Sequence, residues 1–148
     1  MRGAQLGVTA AAVVVVATIG GGCGLVDVFL PTQVTVRLVN NSDFPVELTM
    51  FISDEQDIPE ALLTSDEFAE ELTFTIAAGA TQSFTRDCEA LQAMIIDDAD
   101  LDVALGLGPE TRSEVQRDGD DFSCGDIVTF TFDHSAQIVD FDVTVSVQ

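Results

Sequence analysis

From Gln33 onward apolar and polar residues alternate with a period of two, which predicts half-buried strands. Val34, Val36 and Leu38 alternate with Thr35 and Arg37, and Asn40, Asn41, Ser42 and Asp43 then supply turn-forming residues. Val46, Leu48, Met50 and Ile52 repeat the spacing around Glu47 and Thr49, which predicts the hairpin partner of the first strand. Leu72, Phe74 and Ile76 predict a third strand. Ala78, Gly79 and Ala80 turn it into a fourth over residues 81–86, a second hairpin with Phe84 pointing inward. Residues 91–96 (LQAMII) are apolar on both faces, as in a strand covered on both sides, and Leu101, Val103, Leu105 and Leu107 alternate again. Val128, Phe130 and Phe132 lead through Asp133, His134, Ser135 and Ala136 into Val139, Phe141, Val143, Val145 and Val147. Apolar residues at that strict spacing do not form a helix face. Only residues 59–72, with Pro59 at a first turn and Ala, Leu and Glu after it, read as a short helix.

About eight strands with turn signals between them predict an all-β domain over residues 33–148: an antiparallel β-sandwich of immunoglobulin-like or jelly-roll topology. A barrel is the alternative. The chain of 148 residues has room for one such core.

The amino end follows a different pattern. Met1 and Arg2 precede an uncharged, strongly apolar run over residues 8–19. That run is shorter than the roughly 20 residues needed to span a bilayer, and it fits the apolar region of an export signal. An uncleaved membrane anchor is the alternative, because the uncharged stretch extends outward to Leu6 and Gly22. Ile19, Gly20, Gly21, Gly22, Cys23 and Gly24 follow, and this segment resembles a bacterial lipobox, although Gly20 stands where that motif usually has Leu. With the strands behind it, the chain resembles small, acidic bacterial lipoproteins: a signal peptide (residues 1–22), an acylated Cys23, a tether (23–32) and an exported β-sandwich. The resemblance implies attachment to the cell envelope through acyl chains such as palmitate. With Gly24 rather than Asp after the cysteine, it implies sorting to the outer membrane or cell surface rather than the inner membrane. It implies no reaction. The tether after Cys23 would reach about 30 Å at most, and its apolar Leu25, Val26, Val28, Phe29 and Leu30 do not make a solvated linker.

Three cysteines are an odd number for an exported chain. Modification of Cys23 leaves Cys88 and Cys124 to form a disulfide whose loop contributes roughly 3–4 kcal/mol in the chain-entropy account. Two free buried thiols are the alternative. A zinc site is disfavoured, because His134 is the only histidine available to complete it.

Composition adds two exclusions. Twenty-six acidic residues against five basic ones give a formal charge of −21, which removes nucleic acid as a partner. Hydrophobic residues make up 47% of the chain, with 10 Phe, too many for a disordered acidic segment.

The carboxylates are clustered. Asp97, Asp98, Asp100 and Asp102 form one group, and Asp118, Asp120, Asp121 and Asp126 a second near Cys124. Oxygen-rich groups of this kind suit Ca²⁺, although neither group is an EF-hand loop, and a solvated acidic surface is the plainer reading. The expected disulfide would let the two groups approach one another, and their repulsion would favour a bound cation. His134 lies between Asp133 and Ser135, but catalytic triads converge from separate segments, so an exposed turn histidine is the expectation. No G-x-S-x-G elbow and no phosphate-binding loop occurs. Residues 110–124 form a long polar stretch that reads as a partner-binding surface or as a segment held by the disulfide.

The functional expectation is a non-catalytic, membrane-anchored envelope lipoprotein acting as an interaction or structural module. It would meet the membrane through its lipid, with a protein as partner, no small-molecule substrate, and no cofactor beyond Ca²⁺ at the aspartates. The alternatives are a calcium-dependent binding or adhesion domain and, more remotely, a carboxylate-dependent hydrolase.

Overall fold

The alternation at Val34, Val36 and Leu38 is realised in β1 (Gln33–Asn40), where these three side chains are fully buried while Thr35, Arg37 and Val39 stay partly exposed. The computed structural model describes residues 30–103, 108–134 and 140–148. The signal segment, Cys23 and most of the tether lie outside the described residues, as do Leu105, Leu107, Ser135, Ala136 and Val139. Eight further strands follow: β2 (Val46–Ser53), β3 (Glu70–Ile76), β4 (Thr81–Asp87), β5 (Ala93–Leu101), β6 (Glu110–Thr111), β7 (Gln116–Arg117), β8 (Ile127–His134) and β9 (Phe141–Val147). They form a four-stranded sheet in the order β4-β1-β8-β9 and a five-stranded sheet in the order β3-β2-β5-β6, with β7 also on β5. This is a β-sandwich, as expected. Its ladders are antiparallel except for β1–β8, which is parallel.

Of the expected hairpins, β8–β9 forms, with Phe130 opposite Val145. The other two do not. β1 and β2 lie in different sheets, as do β3 and β4, so each connection arches across the core. The inward residues of β1 and β2 meet face to face rather than side by side, and alternation is the same in both arrangements. Asn40 fixes the first arch. Its side-chain amide donates to the carbonyls of Phe44 (2.8 Å), Ile76 (3.0 Å) and Ala77 (3.2 Å), and its Oδ1 accepts from the backbone and hydroxyl of Ser42.

The main core fills the space between the sheets, with Val34, Leu38, Met50, Ile96, Phe130 and Phe132 among its buried members. A second cluster, Phe51, Ile58, Leu63, Ala93 and Ile95, lies on the outer face of the five-stranded sheet. This explains the doubly apolar stretch at 91–96: Met94 and Ile96 enter the main core, and Ala93 and Ile95 the second cluster. The cover over that outer face comes from α1 (Glu60–Leu63), whose buried residue is Leu63. The helix expected over 59–72 is therefore a single turn, Glu60–Leu63 with Thr64 as its C-cap, and residues 70–72 belong to β3. Leu101 likewise ends β5 instead of opening a separate strand.

Cys88 and Cys124 are disulfide-bonded with their Cα atoms 5.5 Å apart. The bond lies where the chain enters the domain. Cys88 N–H donates to the Thr32 carbonyl (2.9 Å), and Gly125 N–H to that of Gln33 (3.1 Å). Gly125 has φ +100°, and a Cβ there would stand 2.6 Å from Pro31 Cγ, so both backbone conformation and close approach require glycine.

Candidate functional site

A bulge in β5 creates the densest carboxylate group. On β2, Met50 stands opposite Ile96 and Thr49 opposite Asp98, so Asp97 is the extra residue. Continued alternation from Met94 and Ile96 would have carried Asp98 and Asp100 into the core. The insertion reverses the phase: Ala99 and Leu101 are buried, and Asp98 and Asp100 face outward. Asp100 then lies opposite Glu47 on β2 and Glu110 on β6.

Among the described residues, Asp98, Asp100 and Glu110 are the metal-ligating side chains brought together, each offering a carboxylate oxygen within 4.8 Å of the others. Burial pushes the Asp100 carboxyl above its ordinary value, and the charges of Asp98, Glu110 and Glu47 push it further the same way. Beside the group is a shallow cavity of about 230 Å³ lined by Thr49, Thr73 and Phe74 as well as Glu47, Asp98 and Asp100. Such a set can hold a hard cation, whose charge would offset the mutual repulsion.

The other aspartates named from the sequence are elsewhere. Asp97 accepts from Arg112 (3.1 Å), which also donates to Glu60 (2.7 Å). Asp102, one residue past β5, donates its N–H to the Pro45 carbonyl (2.9 Å). Asp118 donates its N–H to the Gln92 carbonyl, at the opposite end of β5 and roughly 25 Å along the strand from Asp100. Asp121 Oδ2 accepts from Arg117 N–H and Asp126 Oδ2 from Ser123 N–H, so these two carboxylates tie a turn; Asp120 is exposed in the same turn. The disulfide does not bring the two groups together. It joins Cys124 to the end of β4, on the four-stranded sheet, whereas Asp98 and Asp100 are on the other sheet. Glu47 and Glu110 were not singled out in the sequence. Glu47 reads there as an ordinary outward strand residue, and Glu110 reaches the group only through β5–β6 pairing.

His134 is largely buried, with its ring 5.9 Å from that of Phe44. Its Nε2 accepts the backbone N–H of Asp43 (3.3 Å), while Asp133 Oδ1 accepts the backbone N–H of His134 itself. The imidazole thus helps to hold the 41–44 turn and is not an exposed turn residue.

Residues 110–124 are fitted to the sheet rather than loose. β6 and β7 keep one register on β5, as two ends of an interrupted edge strand. Between them Ser113 N–H donates to the Ile96 carbonyl (2.9 Å), and Ser113 Oγ accepts from Ile96 N–H (3.0 Å). The guanidinium of Arg117 donates to the carbonyls of Gln56 and Ile58, tying this segment to the covering excursion around α1. A cleft of about 510 Å³ separates residues 112–116 from β9, with Glu114 and Gln116 on one side and Asp142, Val143 and Val145 on the other.

No family model matches the chain, and no curated protein matches it. Among solved structures the chain is similar to the type VI secretion lipoprotein TssJ1 from Pseudomonas aeruginosa, at 13% identity and a TM-score of 0.49, over 80% of this chain and 97% of that one. It is also similar to a protein from Eubacterium rectale, at 17% identity and a TM-score of 0.44, over 77% and 88% of the respective chains.

Proposed function

We propose that the protein is a non-catalytic lipoprotein of the cell envelope, acylated on Cys23, which holds its β-sandwich at a membrane as a docking module for another protein. The observation that carries this reading is the Cys88–Cys124 disulfide clasping the point where residues 31–33 enter the domain, a short tether away from Cys23. A structural disulfide is the mark of an oxidising compartment, and the apolar amino-terminal run with its lipobox-like cysteine supplies the route there. Two or three acyl chains, each buried methylene worth about 0.8 kcal/mol, hold such a protein stably. Loss of Arg2 with the signal would make the domain one unit more negative than −21, so it stands off anionic lipid and presents its surfaces outward.

Intact mass of the native protein after detergent extraction tests this. A chain starting at an acylated Cys23 and lacking two hydrogens is expected, and Cys23→Ala should release the protein in soluble form. A bare, freely diffusing amino terminus in cells that lipidate other substrates would sink the reading.

Calcium binding is a second reading, supported by the convergence of Asp98, Asp100 and Glu110 and by the raised pKa of Asp100. It predicts a rise in melting temperature with millimolar Ca²⁺ that EDTA reverses and that Asp98→Asn removes. No calcium-dependent shift in the unmodified protein would dispose of it. The hydrolase alternative would have to use the same Asp100 as its acid, in a shallow and open setting that does little to exclude water.

A further inference from the structure

Sheets leave edges, and each edge is a row of unpaired backbone groups that proteins usually blunt. β3 and β4 close against one another: Phe74 stacks on Phe84 (5.5 Å), Arg86 pairs with Glu70 (2.9 Å), and Gln82 Nε2 donates to the Thr75 carbonyl (2.8 Å). β6 and β7 are two residues each, interrupted between. β9 is less protected, although β6 approaches part of it. It is a seven-residue edge strand that, among the described residues, pairs only with β8; it lacks Pro, Gly and basic residues, and carries a single charge, Asp142.

The ladder shows which of its groups are free. Ile127 and Gln148 exchange both backbone hydrogen bonds, so in the same register Ser146, Thr144 and Asp142 point their backbone groups toward β8. Those of Val143, Val145 and Val147 therefore point away from the sheet. Val143 N–H is taken by the neighbouring Asp142 Oδ1 (2.8 Å), which, among the described residues, leaves the amides of Val145 and Val147 facing outward, that of Val145 beside the cleft of about 510 Å³.

We propose that this edge accepts an extended segment of a partner polypeptide as an added strand, lying between β9 and residues 112–116, with small or apolar side chains facing Val143 and Val145 and basic residues flanking them. Charge complementarity selects this occupant. Arg112 is already matched by Glu60 and Asp97, so the rim presents Glu114 and Asp142 as negative charges. A second copy of the chain would bring its own Glu114 wall and its own large negative charge to the same cleft. A single flexible strand is far narrower than a folded domain, and main-chain pairing supplies the affinity. The inference deepens the docking-module reading and does not depend on acylation, which is measured separately by mass.

The probe is a fluorescent seven-residue peptide of alternating valine and threonine with lysine at each end, titrated into the full mature chain in detergent and read by anisotropy. Saturable binding below millimolar concentration is expected. Methylating the peptide amides that face β9 should weaken it about tenfold, the loss of one or two backbone hydrogen bonds. Val145→Pro, which removes an N–H that β8 does not use, should do the same. No binding at millimolar peptide, or equal binding of the methylated peptide, overturns the proposal whatever the variant does. Sedimentation of the bare chain as a dimer that Val145→Pro dissociates also overturns it, by assigning the edge to a second copy.

Discussion

Arg112 holds the carboxylate of Asp97 at 3.1 Å, and Asp97 is the one residue of β5 without a partner on β2. The bulge is thus tied from outside the ladder, and it decides which side chains of the second half of β5 are buried. Deleting Asp97 should straighten the ladder without changing its faces, because Ile96, Ala99 and Leu101 then alternate inward and Asp98 and Asp100 stay outward. The deletion variant is expected to fold, as judged by a retained cooperative urea transition, whereas loss of that transition would show that the bulge itself is required. Asp97→Ala keeps the extra residue and removes one exposed ion pair, with Arg112, so it should cost at most about 1 kcal/mol.

Asn40 is fully buried and uses both ends of its side-chain amide on the two arches between the sheets. Asn40→Ala leaves the carbonyls of Phe44, Ile76 and Ala77 without that donor and the Ser42 backbone N–H without its acceptor. A loss of about 3 kcal/mol is expected from chemical denaturation, a large share of the stability of a domain this size. Asn40→Asp should be at least as damaging, because a carboxylate would face three carbonyl oxygens.

The disulfide closes a sequence separation of 36 residues. On the chain-entropy account its removal by Cys88→Ala with Cys124→Ala should cost about 4 kcal/mol. Melting in the presence and absence of reductant checks this. The unmodified protein should show a reductant-dependent drop, and the double variant should melt at the same temperature in both.

Asp100 makes stability depend on pH in a direction opposite to that of an ion-paired aspartate. Its folded-state pKa lies above the ordinary 3.8, so in the window between the two values the folded chain binds more protons than the unfolded one. Stability therefore falls as pH rises through the folded pKa, and the ionised group is a net cost at neutral pH. Asp100→Asn should raise the melting temperature at pH 7, and the gain should shrink as pH falls below the ordinary aspartate range. A variant no more stable than the unmodified protein at pH 7 would contradict this origin of the shift.

Local pattern made much of this molecule legible. The strict spacing of Val34, Val36 and Leu38, of Val128, Phe130 and Phe132, and of Phe141, Val143 and Val145 marks inward faces that the structure keeps. The odd cysteine count pointed to Cys88 with Cys124, and the doubly apolar stretch at 91–96 pointed to a strand buried on both sides. The candidate carboxylate group was half visible. Asp98 and Asp100 were in the expected run, but Glu47 and Glu110 join them only across strands, and the second aspartate group stays at the far end of β5.

Alternation is a property of one strand, so the order of residues by itself determined which side chains face inward and that two layers enclose them. It carries no information about which strands are neighbours. Only the tertiary structure decided that β1 faces β2 across the core, that β1 runs parallel to β8, and that Asp97 stands outside the ladder. Those outcomes depend on which facing surfaces fill space without stranding a polar group. Asn40 at the arches and the phase change in β5 are where that condition is met.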